Sequence, residues 1–214
     1  MPKVAIVGGG ALGREIHSWL CAAKAAGAPL DPIGYVDDGG PLMEGFAGVD
    51  LPYLGMIDAL DIDKFELAMA IASPAAKKIV GDRLGARGGR FVTLVHPSAV
   101  ITHTATLGEG VVIGPQAYIA SHARIERLAL VNSLSGIGHD VIIGACSTIS
   151  SQVDITGHVI VGAGVFMGSG ARVLPGVEIG EDARIGAGAV VVRRVKPGQT
   201  MFAAPARVLL EGSD

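Results

Sequence analysis

Apolar residues recur at every sixth position from Ile101 to Val191, and this period limits the possible folds more than any other feature of the sequence. A small or β-branched residue stands four positions after them, from Ala105 to Ala189. A helix repeats about every 3.6 residues and a half-exposed strand about every 2, so neither gives this spacing, whereas a hexapeptide β-helix does. We therefore predict a left-handed parallel β-helix. The sixteen positions are Ile101, Leu107, Ile113, Ile119, Ile125, Val131, Ile137, Ile143, Ile149, Ile155, Val161, Met167, Val173, Ile179, Ile185 and Val191.

Three hexads make one triangular coil, so the repeat predicts about five coils stacked about 4.8 Å apart. The sixth-position side chain is expected to fill the interior, and the small residue to lie near a corner. The chain is expected to leave the prism after about residue 195, through Lys196-Pro197-Gly198.

Residues 1 to about 95 instead alternate β-branched runs with helical stretches, which is typical of a parallel α/β sheet. We predict a small Rossmann-like domain over residues 1–95, and a β-helix domain with a C-terminal tail over residues 96–214. The strands are predicted at 4–7, 32–36, 66–72 and 90–95, and the helices at 14–26 and 75–84.

Charge and cysteine content exclude several classes of protein. The 17 Lys and Arg residues against 20 Asp and Glu give a net charge of −3 without a basic run, so nucleic acid is not expected as a partner. Cys21 and Cys146 are too few for a disulfide framework. Met1-Pro2-Lys3 leads straight into the first predicted strand, so we expect no leader, and no stretch reaches about 18 apolar residues. We expect a soluble cytoplasmic protein.

A glycine motif follows the first predicted strand and opens the first helix. Gly8, Gly10 and Gly13 have the GxGxxG spacing, and backbone N–H groups at such a helix start favour a phosphate. Tight packing of the strand against the helix is the alternative explanation. About 95 residues leave room for one mononucleotide-binding half, which favours a nucleotide-sugar over a dinucleotide.

Polar residues end the next two strands at the same edge of the sheet. Asp37 and Asp38 follow the second strand, where a carboxylate can bind a ribose or a base, or can belong to a solvated turn. Ser73 follows the third strand. The predicted substrate-binding residues are Gly8, Gly10, Ala11, Leu12, Gly13, Asp37, Asp38 and Ser73.

Five motifs occur in an order that resembles one family of enzymes. They are Gly8-Gly9-Gly10-Ala11-Leu12-Gly13, Tyr35-Val36-Asp37-Asp38, Val95-His96-Pro97-Ser98-Ala99, Gly138-His139-Asp140 and Pro205-Ala206-Arg207. With them the chain resembles the hexapeptide-repeat acetyltransferases of the sialic-acid O-acetyltransferase-like group, which includes bacterial N-acetyltransferases of nucleotide-linked 4-amino-sugars. The resemblance implies a homotrimer, a nucleotide-sugar on the N-terminal domain, and acetyl-CoA between adjacent prisms.

His139 and Asp140 are the predicted catalytic residues. His139 stands two positions after the interior residue Ile137 and so belongs at a turn, where a neutral imidazole can take the proton that an attacking amine loses. The resemblance gives this His the role of general base, and Asp140 would fix its tautomer. An exposed corner His beside a solvated Asp is the alternative. His122, Asp140 and His158 are spaced by 18 residues and should stack at one corner.

The resemblance also implies the contacts of acetyl-CoA. Many members carry a second His nine residues after the base, and Thr148 occupies that position here, where its hydroxyl can donate a hydrogen bond but cannot share a charge. The predicted contacts of acetyl-CoA are Thr148, Gly157, Ser169 and Ala187.

We predict no metal site. His103 and His139 have the spacing of two zinc ligands in β-helical carbonic anhydrases, but Gly144 stands where the third ligand would be. The predicted function is acetyl transfer from acetyl-CoA to the amine of a nucleotide-linked amino-sugar. The alternatives are O-acetylation of a sugar hydroxyl, a zinc lyase of the carbonic anhydrase type, and a noncatalytic trimeric scaffold.

Overall fold

The N-terminal part of the protein is a three-stranded parallel sheet flanked by two helices. In this computed structural model residues 1–204 are described, so the predicted motif Pro205-Ala206-Arg207 lies outside the described residues. The strands stand in the order β2-β1-β3. The elements are β1 (Lys3–Val7), α1 (Ala11–Ala25), β2 (Asp31–Val36), two short 3-10 turns (Ile57–Ala59 and Ile62–Lys64), β3 (Glu66–Met69) and α2 (Pro74–Ala86).

The central strand β1 is apolar because both of its faces are covered. Val4 to Val7 are fully buried, and α1 packs Ile16, Trp19 and Leu20 into the same core. Since β2 and β3 pair with opposite sides of β1, the loop after β1 lies where the strand order reverses. Ligands of open α/β sheets bind at that position.

The predicted strand over residues 90–95 is wrong, because this segment serves two different sheets. Phe91 forms a single bridge with Leu67 of β3. Within this segment only Leu94–Val95 is a strand, β4, and it pairs with Val112–Ile113 of the C-terminal domain. The chain therefore leaves the edge of the α/β sheet and enters the first coil within a few residues.

From Leu94 onward the chain is a parallel β-solenoid of two-residue strands arranged in three sheets, which confirms the predicted fold class. Sheet I contains β4, β7 (Val112–Ile113), β10 (Leu130–Val131), β13 (Thr148–Ile149), β16 (Phe166–Met167), β19 (Arg184–Ile185) and β21 (Thr200–Met201). Sheet II contains β5 (Val100–Ile101), β8 (Tyr118–Ile119), β11 (Gly136–Ile137), β14 (Asp154–Ile155), β17 (Arg172–Val173) and β20 (Val190–Val191). Sheet III contains β6 (Thr106–Leu107), β9 (Arg124–Ile125), β12 (Ile142–Ile143), β15 (Ile160–Val161) and β18 (Glu178–Ile179).

The solenoid has about six coils rather than the five predicted. The hexad period covers β5 to β20, and the structure adds β4 before them and β21 after them. The chain does not leave the prism near residue 195, since Val195 bridges Ile179 and Thr200–Met201 pairs with Arg184–Ile185.

The interior of the solenoid is filled by both the sixth-position residues and the small residues of the repeat. The sixth-position residues stack in register, as Ile113, Val131 and Ile149 do in sheet I. The small residues directly follow the turns, near the corners as predicted, and Val111 and Ala117 are at most 1% exposed and belong to the same core. A narrow triangular interior needs small side chains beside large ones to be filled without voids.

The outer face of sheet I carries the α/β domain. Leu94, Val112 and Leu130 point away from the solenoid interior and are buried in the core that contains α1 and β1. The other two sheets keep outward residues exposed, among them Tyr118 and Ile160. Within residues 1–204, none of the helices has the length and hydrophobicity needed to cross a membrane.

Candidate functional site

The turn Gly138-His139-Asp140 joins sheet II to sheet III and holds the predicted base. A hydrogen bond of 2.8 Å joins Nδ1 of His139 to Oδ2 of Asp140. The two side chains are 58% and 43% exposed, so a substrate can reach them from solvent. Asp140 has a φ of +58°, a left-handed conformation that turns its side chain back toward the preceding residue.

Gly157 of the next coil lies directly beneath the His139 ring. A Cβ atom on Gly157 would stand 2.5 Å from Nε2 and 2.5 Å from Cε1 of His139. Only a glycine at this position allows the imidazole to lie where it does. Gly157 was predicted as a contact of acetyl-CoA, and the structure places it under the base.

His158 completes the cluster one coil below Asp140. Its ring meets the His139 ring edge to face, with centroids 4.8 Å apart and an interplanar angle of 86°. Its Nδ1 lies 3.8 Å from Oδ2 of Asp140. His122, Asp140 and His158 occupy equivalent turn positions in successive coils, with φ near +60°, which confirms the predicted stack.

The electrostatics of the cluster favour an ionised carboxylate at Asp140. The hydrogen bond from His139, followed by the charges of His158, His139 and His122, lowers the pKa of Asp140 below its ordinary value. A carboxylate only accepts hydrogen bonds, so the bond to Asp140 places a proton on Nδ1 of His139. Nε2 then keeps its lone pair and can take a proton from a substrate.

The glycine loop forms a second candidate site at the carboxyl edge of the α/β sheet. Gly8 has a φ of +114°, and a Cβ on Gly13 would collide with the carbonyl oxygen of Gly8, so these two glycines serve the turn and the packing of α1. A Cβ on Gly10 would meet no atom of residues 1–204 within 4 Å, so the described chain leaves open space at this position.

The first turn of α1 is suited to an anion. Among residues 1–204 no side chain caps this helix start, and its first turn, beginning with Ala11 and Leu12, holds no acidic residue. Unpaired N–H groups and the helix dipole then attract a negative charge, such as a phosphate.

Asp37 shapes the glycine loop from the neighbouring strand. Its Oδ2 accepts a hydrogen bond of 2.6 Å from the Gly9 N–H, and its Oδ1 accepts one of 2.7 Å from the Gly39 N–H. The carboxylate thus fixes the glycine loop next to Gly10.

Asp38 and Ser73, also predicted as substrate contacts, have partners within the protein. Oδ1 of Asp38 accepts a hydrogen bond of 2.9 Å from the Ile57 N–H, and its Oδ2 lies 3.5 Å from the Arg83 guanidinium. The Ser73 hydroxyl accepts a bond of 3.5 Å from the Ala76 N–H at the start of α2. Both residues order the carboxyl edge of the sheet.

Thr148 lies away from the solvent, between the α/β domain and sheet I. It is 2% exposed, and its hydroxyl donates to the Ala72 carbonyl at 2.8 Å and accepts from Lys77 Nζ at 2.8 Å. Lys77, which the sequence did not single out, also donates to the Ser147 carbonyl at 3.1 Å. This burial speaks against the predicted contact of Thr148 with acetyl-CoA, because both bonds of its hydroxyl are made inside the protein.

The other predicted contacts of acetyl-CoA divide between two corners of the prism. Ser169 and Ala187 lie one coil apart at the corner between sheets I and II. Gly157 lies with His139 at the corner between sheets II and III. One chain does not bring all four predicted residues together, since Thr148 is buried on the face of sheet I.

Comparisons with known proteins agree with this fold. Residues 158–193 match the family described as bacterial transferase hexapeptide (six repeats). The UDP-N-acetylbacillosamine N-acetyltransferase of Bacillus subtilis (strain 168) is 32% identical over 115 residues, or 53% of this chain. The matched part of this chain spans 51% of that enzyme, about half of its length.

Solved structures match over nearly the whole chain. PerB from Caulobacter crescentus, in complex with CoA and GDP-perosamine, is 30% identical, covers 97% of both chains and has a TM-score of 0.83. A His-to-Asn variant of perosamine N-acetyltransferase from that organism, with the same two ligands, is 29% identical over 99% of this chain and 98% of that chain, with a TM-score of 0.83. The acetyltransferase domain of PglB from Neisseria gonorrhoeae FA1090 is 24% identical over 98% of this chain and 100% of that chain, with a TM-score of 0.83, and shows the shared fold.

One assignment follows from the order of the α/β sheet and the solenoid, the glycine loop, the His–Asp turn and the 30% identity to PerB over 97% of both chains. The chain belongs to the hexapeptide-repeat acetyltransferases, and within them it resembles the nucleotide-sugar N-acetyltransferases.

Proposed function

We propose that this protein transfers an acetyl group from acetyl-CoA to the amine of a nucleotide-linked amino-sugar, with His139 as the general base. The observation that carries the proposal is the bond of 2.8 Å between Nδ1 of His139 and Oδ2 of Asp140 on an exposed turn. The likeness to PerB, whose solved complex contains CoA and GDP-perosamine, supports the same chemistry.

The reaction needs one proton acceptor and no covalent intermediate. The amine nitrogen attacks the thioester carbonyl, and Nε2 of His139 takes the proton that the nitrogen loses. The C–N bond forms, the C–S bond breaks, and the CoA thiolate leaves and receives the proton that His139 holds. Asp140 keeps the ring in the required tautomer and stabilises the imidazolium while it exists. No step of this mechanism requires a metal.

The nucleotide part of the acceptor is proposed to bind at the glycine loop. The phosphates would lie over Gly10, facing the N–H groups at the start of α1, where the structure leaves open space. Asp37 would act through the loop, because it holds the Gly9 amide. Binding energy from the nucleotide can then orient the sugar amine toward the base.

Assembly into a homotrimer is part of the proposal. The cluster around His139 lies on an exposed corner, with side chains 43% to 66% exposed, and a neighbouring prism would cover it and supply further contacts to acetyl-CoA. A closed symmetric ring is the usual way to pair such surfaces.

The test is a transfer assay with UDP-, GDP- and dTDP-linked amino-sugars, in which release of the CoA thiol and acetylation of the sugar are both measured. We expect acetylation of at least one amino-sugar, and His139→Asn should lower kcat by roughly 10²–10⁴-fold with little change in KM. The matching sugars with a hydroxyl in place of the amine are the control. Acetylation of the hydroxyl sugars alone would reassign the enzyme as an O-acetyltransferase, and full activity of His139→Asn would refute the mechanism.

A further inference from the structure

A second histidine, His158, contacts both members of the proposed catalytic pair. Its ring lies edge to face with His139 at a centroid distance of 4.8 Å, and its Nδ1 is 3.8 Å from the carboxylate of Asp140. It reaches both because it follows Asp140 by 18 residues, one coil of the solenoid, and its N–H donates to the His139 carbonyl at 2.9 Å. The acetyl-transfer mechanism above gives it no role.

We propose that His158 is a positioning residue, which holds the His139 ring in the orientation that directs Nδ1 to Asp140 and leaves Nε2 free for the substrate. This inference rests on the proposed function, because it names the group that prepares the base of that reaction. His158 acts through His139 and Asp140 and does not itself take the substrate proton.

The need for such a residue follows from the exposure of the base. The His139 side chain is 58% exposed, and Gly157 beneath it has no side chain to restrain the ring. One hydrogen bond to Asp140 allows the imidazole to swing about its χ angles, whose terminal torsion is broad for His. The His158 ring closes one side, in the edge-to-face arrangement that aromatic rings prefer. A fixed ring keeps the base in reacting geometry, and misplacement by about 1 Å can cost about 10²-fold in rate.

The charges around Asp140 lead to a second expected effect of removing His158. The groups that face this carboxylate are His139 beside it and His122 and His158 in the coils on either side. The charge of His158 is one of the causes that lower the pKa of Asp140, so removal of His158 should raise the pKa of that carboxyl toward its ordinary value.

The backbone allows variants that separate these effects from folding. His158 has a φ of +62°, and Gly176 occupies the same turn position in the next coil with a φ of +70°. His158→Gly thus removes the side chain without straining the turn. His158→Asn tolerates the left-handed conformation and keeps a donor for Asp140, but it has no ring and no titratable charge. His122→Gly is the matched control, at the equivalent turn with a φ of +60°.

The experiment measures kcat and KM of acetyl transfer for these three variants. For His158→Gly we expect kcat to fall about tenfold and KM for acetyl-CoA to stay within about twofold. His158→Asn should recover only part of kcat, because it keeps a donor for Asp140 but has no ring to pack against His139, and His122→Gly should keep the wild-type kcat. Wild-type turnover in His158→Gly would overturn the proposal. A loss equal to that of His139→Asn would also overturn it, because His158 would then be a base itself.

A measurement without substrate distinguishes failure of this inference from failure of the proposed function. Nitrogen NMR of ¹⁵N-labelled histidine reports which ring nitrogen of His139 is protonated, with His139→Asn used to assign the signal. Wild-type protein should show the proton on Nδ1, and His158→Gly should show a mixture of the two tautomers. If wild-type protein acetylates no amino-sugar, the proposed function fails, while an unchanged tautomer in His158→Gly refutes the positioning role independently.

Discussion

The buried lysine between the two domains predicts an unusual dependence of stability on pH. Lys77 is 1% exposed, and among the described residues 1–204 its amine has hydrogen bonds to Ser147 and Thr148 but no ion pair. Removal from water disfavours the charged amine and lowers the pKa of Lys77 to about 7, although Cys146 raises it slightly. The substitution that tests this cause is Lys77→Met, which keeps the length of the side chain and removes the charge.

The sign and size of the effect follow from proton binding. In the unfolded chain Lys77 has its ordinary pKa of 10.5, so between about pH 7 and 10.5 the unfolded state binds more protons than the folded state. The free energy of unfolding therefore rises with pH in that window, by at most about 1.4 kcal/mol per unit, or about 2 kcal/mol from pH 7 to pH 9. Below about pH 7 both states are protonated and the full destabilisation remains. Met binds no proton, so the variant lacks this gain.

Lys77→Met should also be more stable than wild type at pH 7. The partners of the lysine keep other hydrogen bonds, since the Ser147 carbonyl accepts from the Leu130 N–H at 2.9 Å and the Thr148 hydroxyl donates to Ala72 at 2.8 Å. The substitution consequently leaves neither of these partners without a hydrogen bond. The advantage of the variant should shrink by about 2 kcal/mol between pH 7 and pH 9.

Urea unfolding at pH 7, 8 and 9, at one fixed protein concentration, measures the free energies. Lys78→Met is the matched control, because Lys78 is the next residue of α2 but is exposed and pairs with Asp82 on the surface. The control should follow the pH dependence of wild type. If wild type and Lys77→Met keep a constant difference from pH 7 to pH 9, then Lys77 has an ordinary pKa in the folded protein and the reasoning is refuted.

Three further predictions concern the site and the assembly. Gly157→Ala should lower kcat by roughly 10–10²-fold, because its Cβ would displace the His139 ring, whereas Gly136→Ala, whose Cβ would lie 3.5 Å from the nearest atom, should keep activity in the same transfer assay. Gly10→Val should weaken binding of the nucleotide-sugar and leave acetyl-CoA binding intact in calorimetry, since its side chain would fill the space left for phosphate. Equal loss of both ligands would instead indicate a damaged fold. Light scattering should give the mass of a trimer at micromolar concentration, and a monomer would contradict the shared site.

The solenoid could be predicted from sequence because its pattern is local. Each hexad places one interior residue, and the sixteen strands β5 to β20 follow from counting. The period fails at the end of the prism, where Ile179 pairs with Val195 and Ile185 pairs with Met201, 16 residues later instead of 18. The last coil is shorter, so the hexad count stops before strand β21.

The candidate site was predictable only in part. The turn position of His139 follows from its place after Ile137, and the His–Asp bond confirms that the two side chains meet. The contact between Lys77 and Thr148 joins residues 71 positions apart, and no periodicity links α2 to sheet I. The role of Gly157 could not be predicted either, because it depends on how the coils stack. The His139 ring of one coil lies over Gly157 of the next coil.

Backbone strain does not mark the site, although it is present there. Nine residues other than glycine have a left-handed φ among the described residues 1–204, and they include Leu128, Leu134 and Cys146 as well as Asp140 and His158. Such a conformation costs about 1 kcal/mol or more for an L-residue, and the solenoid tolerates it at corner after corner because the interior stacks hold each turn in place. The left-handed turn is thus a property of the solenoid and not of the site. The site lies where three successive coils carry imidazole or carboxylate groups at that turn. These groups, rather than the backbone conformation, distinguish the corner of His139 from the other two corners.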